Sequence, residues 1–398
     1  MKFGGSSVAD PEKVRHVARR LAAAKEDGAQ VVGTVSAMGK TTDSLIALAR
    51  EVSPSPDARE LDMLLSTGER IACALVAMAI HDLGHEAVSL TGSQAGILTD
   101  AAYTKAKIRE IRADRVEAAL AQGKIVLVAG FQGFARETMD VTTLGRGGSD
   151  ATAVALAAAL GAACEIYSDV PGVFTADPRL VPEAHRISRI SFEEMLEMAA
   201  TGGRVLMLRA VEFARNHNVP LHVRSSFTWE PGTWVVEEDE DMEEAVVTAV
   251  THDTSEAKVT VSGVPDRPGV AAQLFRAQAN RKINIDMIVQ NASAHGTTDI
   301  SFTVPKSDLT VSVETAQASA DELGATGVAS DSDIARVSLI GVGMKSHPGI
   351  AATMFETLAN EEINIDMIST STIRTSCIVH TGDVERAVRS LHAAFELG

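Results

Sequence analysis

The last third of this chain repeats itself. Pro268-Gly269 and Asn284-Ile285-Asp286-Met287-Ile288 recur as Pro348-Gly349 and Asn364-Ile365-Asp366-Met367-Ile368, both at an offset of 80 residues. Two separated motifs held in one register mark a duplicated structural unit. Each copy reads as strand, Pro-Gly turn, helix, Asn-containing loop and strand. The first comprises Lys258–Gly263, Val270–Asn280 and Asn284–Gln290; the second comprises Arg336–Gly341, Ile350–Asn360 and Asn364–Thr370. Pro-Gly suits helix entry and Asn suits a helix C-terminus. The prediction is two βαβ modules, 253–332 and 333–398, whose sheet edges and faces favour dimerisation.

Ahead of them, Glu237-Glu238-Asp239-Glu240-Asp241-Met242-Glu243-Glu244 places seven acidic residues in eight, just after Pro231-Gly232. Mutual repulsion resists packing, so 236–252 is predicted to be a solvated linker. Residues 1–235 alternate short β-rich runs with longer helical patterns, which predicts an α/β fold with parallel strands and crossover helices. The strand candidates are Gln30–Val35, Glu86–Leu90, Lys124–Ala129 and Glu165–Ser168. Pro11–Glu26 reads as a helix with Asp10 as N-cap and Pro11 in its first turn. Val14, Val17, Ala18 and Leu21 share one face of it and are assigned to the core.

Two glycine-rich segments nearly 150 residues apart carry the chemistry: Lys2-Phe3-Gly4-Gly5-Ser6-Ser7, and Leu144-Gly145-Arg146-Gly147-Gly148-Ser149-Asp150 before an alanine-rich helical stretch. Glycine lets backbone N–H groups approach an anion, and a following helix turns its free amides toward the same place. Gly-x-x-x-x-Gly-Lys-Ser/Thr is absent, so no P-loop is implied. Lys2 and Arg146 supply cations, Asp150 a carboxylate, and Ser6, Ser7 and Ser149 hydroxyls, the types that neutralise and orient a phosphoryl group in transfer.

Charge and length narrow the function classes. A chain of 398 residues with 45% apolar content suits two or three aliphatic-cored domains. A formal charge of −17 opposes binding to nucleic acid or anionic membrane. No signal peptide is read at the start. Ala151–Cys164, taken as the most apolar stretch, is too short to span a bilayer, so the expectation is a soluble, cytoplasmic protein. Cys73, Cys164 and Cys377 read as reduced, buried thiols. The eleven histidines are read as lacking the His-x-x-x-His or carboxylate spacing of a zinc site, and any metal is expected to arrive with a nucleotide.

The first glycine segment resembles the Lys-Phe-Gly-Gly-Ser/Thr-Ser-Val signature that opens aspartokinases, and the second resembles their Gly-Arg-Gly-Gly-Ser-Asp segment. Val35-Ser36-Ala37-Met38-Gly39, Thr41-Thr42-Asp43, Thr67-Gly68-Glu69-Arg70, Tyr167-Ser168-Asp169 and Thr175-Ala176-Asp177-Pro178-Arg179 follow in family order. The likeness continues through the repeats, which resemble ferredoxin-like ACT domains. It implies an amino-acid-kinase-like parallel sheet sandwiched by helices, and transfer of the γ-phosphoryl group of MgATP to the side-chain carboxylate of L-aspartate. Lys2 and Asp150 then become catalytic. Thr42, Glu69, Arg146, Gly147, Gly148 and Ser149 would bind aspartate, with Arg146 on its α-carboxylate and Glu69 on its ammonium. Lys2, Phe3, Gly4, Gly5, Ser168, Asp169, Phe174, Asp177, Arg179 and Arg204 would line the nucleotide.

The repeats carry the family positions for regulatory amino acids: Asp266, Arg267, Pro268, Gly269, Val270, Ala271, Asn284, Ile285, Asp286 and Gln290, then Ile350, Ala351, Asn364, Ile365, Ser371 and Thr372. Likeness to the actinobacterial group implies lysine and threonine acting together on a homo-oligomer, with Met242 placed where a shorter regulatory subunit would start. Some positions depart from the pattern. Lys2 follows Met1 directly, which shortens the strand leading into the first motif; Pro171 stands for an Asp, Phe174 for a Tyr and Arg204 for a Lys, and these three changes predict weaker ATP binding. The alternatives are a kinase for glutamate, acetylglutamate or a nucleotide, and a catalytically weak amino-acid-binding regulator.

Overall fold

The structure is a computed structural model that describes residues 1–203, 205–238, 246–291, 296–345 and 347–398. Packing divides the chain into two units: Met1–Val173, Arg186–Ala199 and Arg204–Met242 in the first, and Phe174–His185, Ala200–Gly203 and Glu243–Gly398 in the second. Residues 174–185, read within the first domain, therefore go with the second. Met242 and most of the acidic run, 239–245, lie outside the described residues.

In the first unit the strands are β1 (Lys2–Phe3), β2 (Val32–Val35), β3 (Ala87–Leu90), β4 (Ile97–Thr99), β5 (Ile108–Ile111), β6 (Ile125–Ala129), β7 (Gln132–Ala135), β8 (Asp140–Thr143), β9 (Cys164–Ser168), β10 (Arg189–Ser191), β11 (Leu221–Ser225) and β12 (Thr233–Val236). The helices are α1 (Pro11–Glu26), α2 (Thr41–Val52), α3 (Ala58–Leu65), α4 (Thr67–Asp82), α5 (Asp114–Ala121), α6 (Gly148–Leu160), α7 (Phe192–Ala200) and α8 (Leu208–Asn216). Eight strands form one sheet in the order β10-β12-β11-β9-β1-β2-β6-β3, parallel except at β11–β12. A smaller sheet, β5-β4-β7-β8, is mostly antiparallel. The four strands anticipated from the sequence all belong to the large sheet.

Helix α1 shows why the local sequence decides local structure. The Asp10 carboxylate accepts a hydrogen bond from the Lys13 N–H at 2.9 Å, satisfying one of the free amides at the helix start. Pro11 sits where its missing N–H costs nothing. Val14, Val17, Ala18 and Leu21 are buried with Phe3, Val35 and Leu127, each large side chain contributing roughly 1.5–3 kcal/mol of burial. Cys73, Cys164 and Cys377 are free and buried.

The second unit contains β13 (Ala249–Asp253), β14 (Glu256–Pro265), β15 (Ile288–Gln290), β16 (Thr297–Pro305), β17 (Gly327–Asp331), β18 (Ile334–Ile340), β19 (Met367–Thr370) and β20 (Arg374–His380), with α9 (Val270–Asn280), α10 (Leu309–Leu323), α11 (Ile350–Asn360) and α12 (Val384–Ala394). Both repeat helices span the predicted residues. The second strands are shorter than predicted, because Asn284–Met287 and Asn364–Asp366 are loop. Each copy is larger than a βαβ unit. The first is βαββαβ with sheet order β15-β16-β14-β17. The second runs β13-β18-β20-β19, so its outer strand is β13, from within the segment read as linker. Every strand pairing in these two sheets is antiparallel.

One helical stretch, Ala58–Asp82, is long and apolar enough to cross a membrane by composition, with a mean hydropathy of 1.6. It displaces Ala151–Cys164 as the segment to weigh. Half of it is buried against the protein, as in a core helix.

Candidate active site

Strand β1 is only two residues long, yet chain order reverses around it: β2 and β6 lie to one side, β9 and β11 to the other. In open parallel sheets such a switch point gathers ligands beyond the carboxyl ends of the strands. There Lys2 Nζ meets Asp150 Oδ1 at 2.6 Å, with the two side chains 12% and 10% exposed. Asp150 occupies the first turn of α6, where the helix dipole favours a carboxylate. The Phe3 ring stacks on Tyr167 at 4.7 Å, fixing β1 against β9.

Glycines bring the surrounding backbone close. A Cβ on Gly5 would stand 2.8 Å from the Ala37 carbonyl oxygen, and the Gly39 N–H donates to the Gly5 carbonyl at 3.0 Å. The loop after β2 is thereby held against the first glycine segment. The Gly4 N–H donates to the Tyr167 carbonyl at 3.4 Å, so it is already engaged. Gly147 has φ 69°, a left-handed conformation favouring glycine, and caps α6.

Glu69 is 3% exposed. Gly68 lets α4 approach Ala37, and Glu69 Oε1 accepts the Ala37 N–H at 3.2 Å while Oε2 has no partner. Burial raises the Glu69 pKa to about 7, against the lowering effect of that hydrogen bond. A buried carboxylate with an unbonded oxygen is a receptor for a cation. Ser149 is buried, and Gly130 makes room for it: a Cβ there would come within 2.8 Å of Ser149 Oγ. Thr42 is half-buried in the first turn of α2. Arg146 is exposed on the glycine loop with no ion pair among the described residues.

Ser168 ends β9, its carbonyl accepting the Ser226 N–H at 2.7 Å, and Asp169 is exposed just beyond. Phe174, Asp177 and Arg179 belong to the second unit, where Asp177 and Arg179 pair with each other at 2.6 Å. Arg204 lies outside the described residues. A glycine cradle with a buried cation suits a phosphate-bearing nucleotide. Among the described residues no group of three His, Cys, Asp or Glu could hold a metal ion. His81 and His85 do stand four apart, but His81 bonds the Ala87 backbone and His85 bonds Glu26.

Two further residues went unnoticed in the sequence. Asp62 is fully buried and accepts the Thr143 hydroxyl at 2.6 Å, the Thr143 N–H at 2.9 Å and the Thr104 N–H at 2.9 Å. Arg209 donates to the Leu144 carbonyl at 2.9 Å and the Ala106 carbonyl at 3.1 Å. Together they tie Thr143-Leu144, which lead into the second glycine loop, to Thr104 and Ala106. Asp62 carried one readable signal, an acid set between Leu61 and the apolar Met63-Leu64-Leu65.

In the second unit, Asp266–Gly269 lie exposed at the turn into α9, with Val270 and Ala271 beginning that helix. Ile350 and Ala351 begin α11, and Asn284, Gln290, Asn364, Ser371 and Thr372 are exposed, with Ile285 and Ile365 half-buried. The modules meet through reciprocal ion pairs. Asp286 of the first pairs with Arg336 of the second, and Asp366 of the second pairs with Lys258 of the first at 2.6 Å.

Comparison with known proteins follows the same division. Residues 1–225 match the amino acid kinase family, and residues 259–319 and 337–395 match the ACT domain. An aspartokinase of Mycolicibacterium smegmatis is 57% identical over 402 aligned residues, covering 100% of this chain and 96% of its own length. The chain belongs to the aspartokinase family. The aspartokinase of Corynebacterium glutamicum is 55% identical with the same coverage. The solved structure of Escherichia coli aspartokinase III in complex with aspartate and ADP is 25% identical, with a TM-score of 0.81 over 99% of this chain and 98% of that one. The chain is thus an aspartokinase-family phosphotransferase, a kinase domain followed by ACT modules.

Proposed function

We propose that this chain transfers the γ-phosphoryl group of MgATP to the side-chain carboxylate of L-aspartate, giving 4-phospho-L-aspartate. The observation that carries the reading is the Lys2–Asp150 ion pair at the switch point of the sheet. MgATP supplies the phosphoryl group and its metal. Lys2 neutralises the charge that spreads over the phosphoryl oxygens, and Asp150 aims the ammonium. Glu69 takes the substrate ammonium, and Arg146 holds its α-carboxylate through a bidentate fork that lysine could not reproduce. Thr42, Gly147, Gly148 and Ser149 complete the aspartate subsite, while Phe3, Gly4, Gly5, Ser168 and Asp169 border the nucleotide.

Sensing belongs to the paired modules, with the turns at Pro268-Gly269 and Pro348-Gly349 and the loops at Asn284 and Asn364 receiving lysine and threonine. An effector acts only through unequal affinity for active and inactive arrangements. The working form is a cytoplasmic homo-oligomer. Trapping the acyl phosphate with hydroxylamine, in parallel with aspartate and glutamate, tests the reading. Hydroxamate is expected with aspartate alone. Lys2→Ala should lower kcat at least 100-fold, since one well-aimed donor is worth roughly 3 kcal/mol in the transition state. Equal signal from both substrates, or none, overturns it.

A further inference from the structure

We infer that Arg20 is a positioning residue for phosphoryl transfer: stacked on Tyr167, its guanidinium steadies the row of side chains that sets Lys2 and the Ser168-Asp169 end of β9. The inference rests on the roles given to Lys2, Ser168 and Asp169 in the proposed reaction. Strand β1 has two residues, so few backbone bonds hold it at the switch point and side chains must supply the rest. Phe3, Tyr167 and Arg224 are register partners on β1, β9 and β11 and stand abreast on one face of the sheet. Lys2, one residue before Phe3, points to the other face and reaches Asp150. A shift of the Phe3 ring is therefore passed to Lys2. Tyr167, the middle of the row, is fixed at several points. Phe3 stacks on its ring, its hydroxyl donates to Glu165 Oε2 at 2.8 Å, and the guanidinium carbons of Arg20 and Arg224 lie 5.1 and 5.7 Å from its centroid. Arg224 also donates to Glu165 Oε1 at 3.2 Å.

Arg20 itself is 1% exposed. Its hydrogen bonds go to neutral groups, Nε donating to His16 Nε2 at 3.3 Å and Nη2 to the Thr228 carbonyl, and the exposed Trp229 ring covers it at 4.1 Å. Burying a charge in such surroundings costs stability, and an apolar side chain of similar volume would fill the space at less cost. A guanidinium kept there does something packing does not require. Its planar fork ties α1 to the loop 226–232 while it meets the Tyr167 ring. The aspartate subsite stands on other elements, with Glu69 on α4 and Arg146 just before α6. Loss of Arg20 should therefore disturb the nucleotide side and spare aspartate binding.

Arg20→Met, Arg20→Lys and Trp229→Ala, made in the full chain and assayed beside Lys2→Ala by hydroxylamine trapping and thermal melts, test the assignment. Arg20→Met should melt at or above the parent's temperature, yet lower kcat roughly tenfold and raise the KM for ATP several-fold, with the KM for aspartate within about twofold. Arg20→Lys should recover part of kcat, because an ammonium keeps the charge on the Tyr167 ring and loses only the fork. A merely structural arginine gives the opposite pattern, a lower melting temperature with parental kcat and KM values, and that result overturns the inference. So does a change in which the KM for aspartate moves as far as that for ATP. If Arg20→Met does not fold, Trp229→Ala decides alone: uncovering the guanidinium should give the same split in milder form, and parental kinetics there overturn the inference. Full activity in Lys2→Ala removes the reading of Lys2 and this inference with it, whereas an inactive Lys2→Ala beside a fully active Arg20→Met removes this inference alone.

Discussion

At position 69 a carboxylate is held 3% exposed with one oxygen unbonded and a pKa raised to about 7 by burial. Its proton is therefore still bound in the folded state at a pH where the unfolded chain has lost it. The stability it contributes is full below the unfolded value near 4.5 and is lost as pH rises through about 7. Glu69→Gln should accordingly be more stable than the parent at pH 8, by roughly 1–3 kcal/mol, and nearly equal to it at pH 4.5. Denaturant melts at the two pH values check this. Substrate binding runs the other way, because an ammonium needs the ionised form. The KM for aspartate should rise roughly tenfold between pH 8 and pH 6 with kcat little changed, and Glu69→Gln should lose that dependence. The sequence names Glu69 through its Thr-Gly-Glu-Arg setting, but burial and the unbonded oxygen come from Gly68 packing on Ala37, a contact between segments thirty residues apart. Gly130 was invisible for the same reason: its role is to lack a Cβ facing Ser149.

Among the elements, the segment entering the second glycine loop depends on Asp62. Its carboxylate gathers the Thr143 hydroxyl and the N–H groups of Thr143 and Thr104, and burial raises its pKa against the lowering effect of those bonds. Asp62→Asn places an amide donor among donors. It should cost about 1–3 kcal/mol in stability and raise the KM for aspartate more than it lowers kcat, because the loop bearing Arg146 shifts while Lys2 does not. Urea melts and steady-state kinetics separate the two effects. Elements with strong local signals were legible: α1 with its cap and proline, and α9 and α11 after their Pro-Gly turns. The small sheet β5-β4-β7-β8 was not, because strands of three or four residues carry too little alternation to be read. Likewise Asn284–Met287 has a strand-like composition but mostly approaches the sheet without joining it.

For the whole molecule, the repeat announced two modules but not how they close. Periodicity reports equal segments; it does not report that β13, which precedes the first module, completes the sheet of the second. A fragment beginning at Met242 keeps β13 and should be a soluble, cooperatively melting protein. One beginning at Ser255 leaves the β18 edge bare and should aggregate or melt without a sharp transition, as exposed strand edges do. Light scattering and thermal melts of the two fragments decide. Because β13 pairs with residues more than eighty positions downstream, a ribosome releases it long before its partner exists. The first module can condense while this early ribbon is still waiting, and the second can lock only near the end of synthesis. Translation order thus makes the sensor's final clasp one of the last events in making the protein.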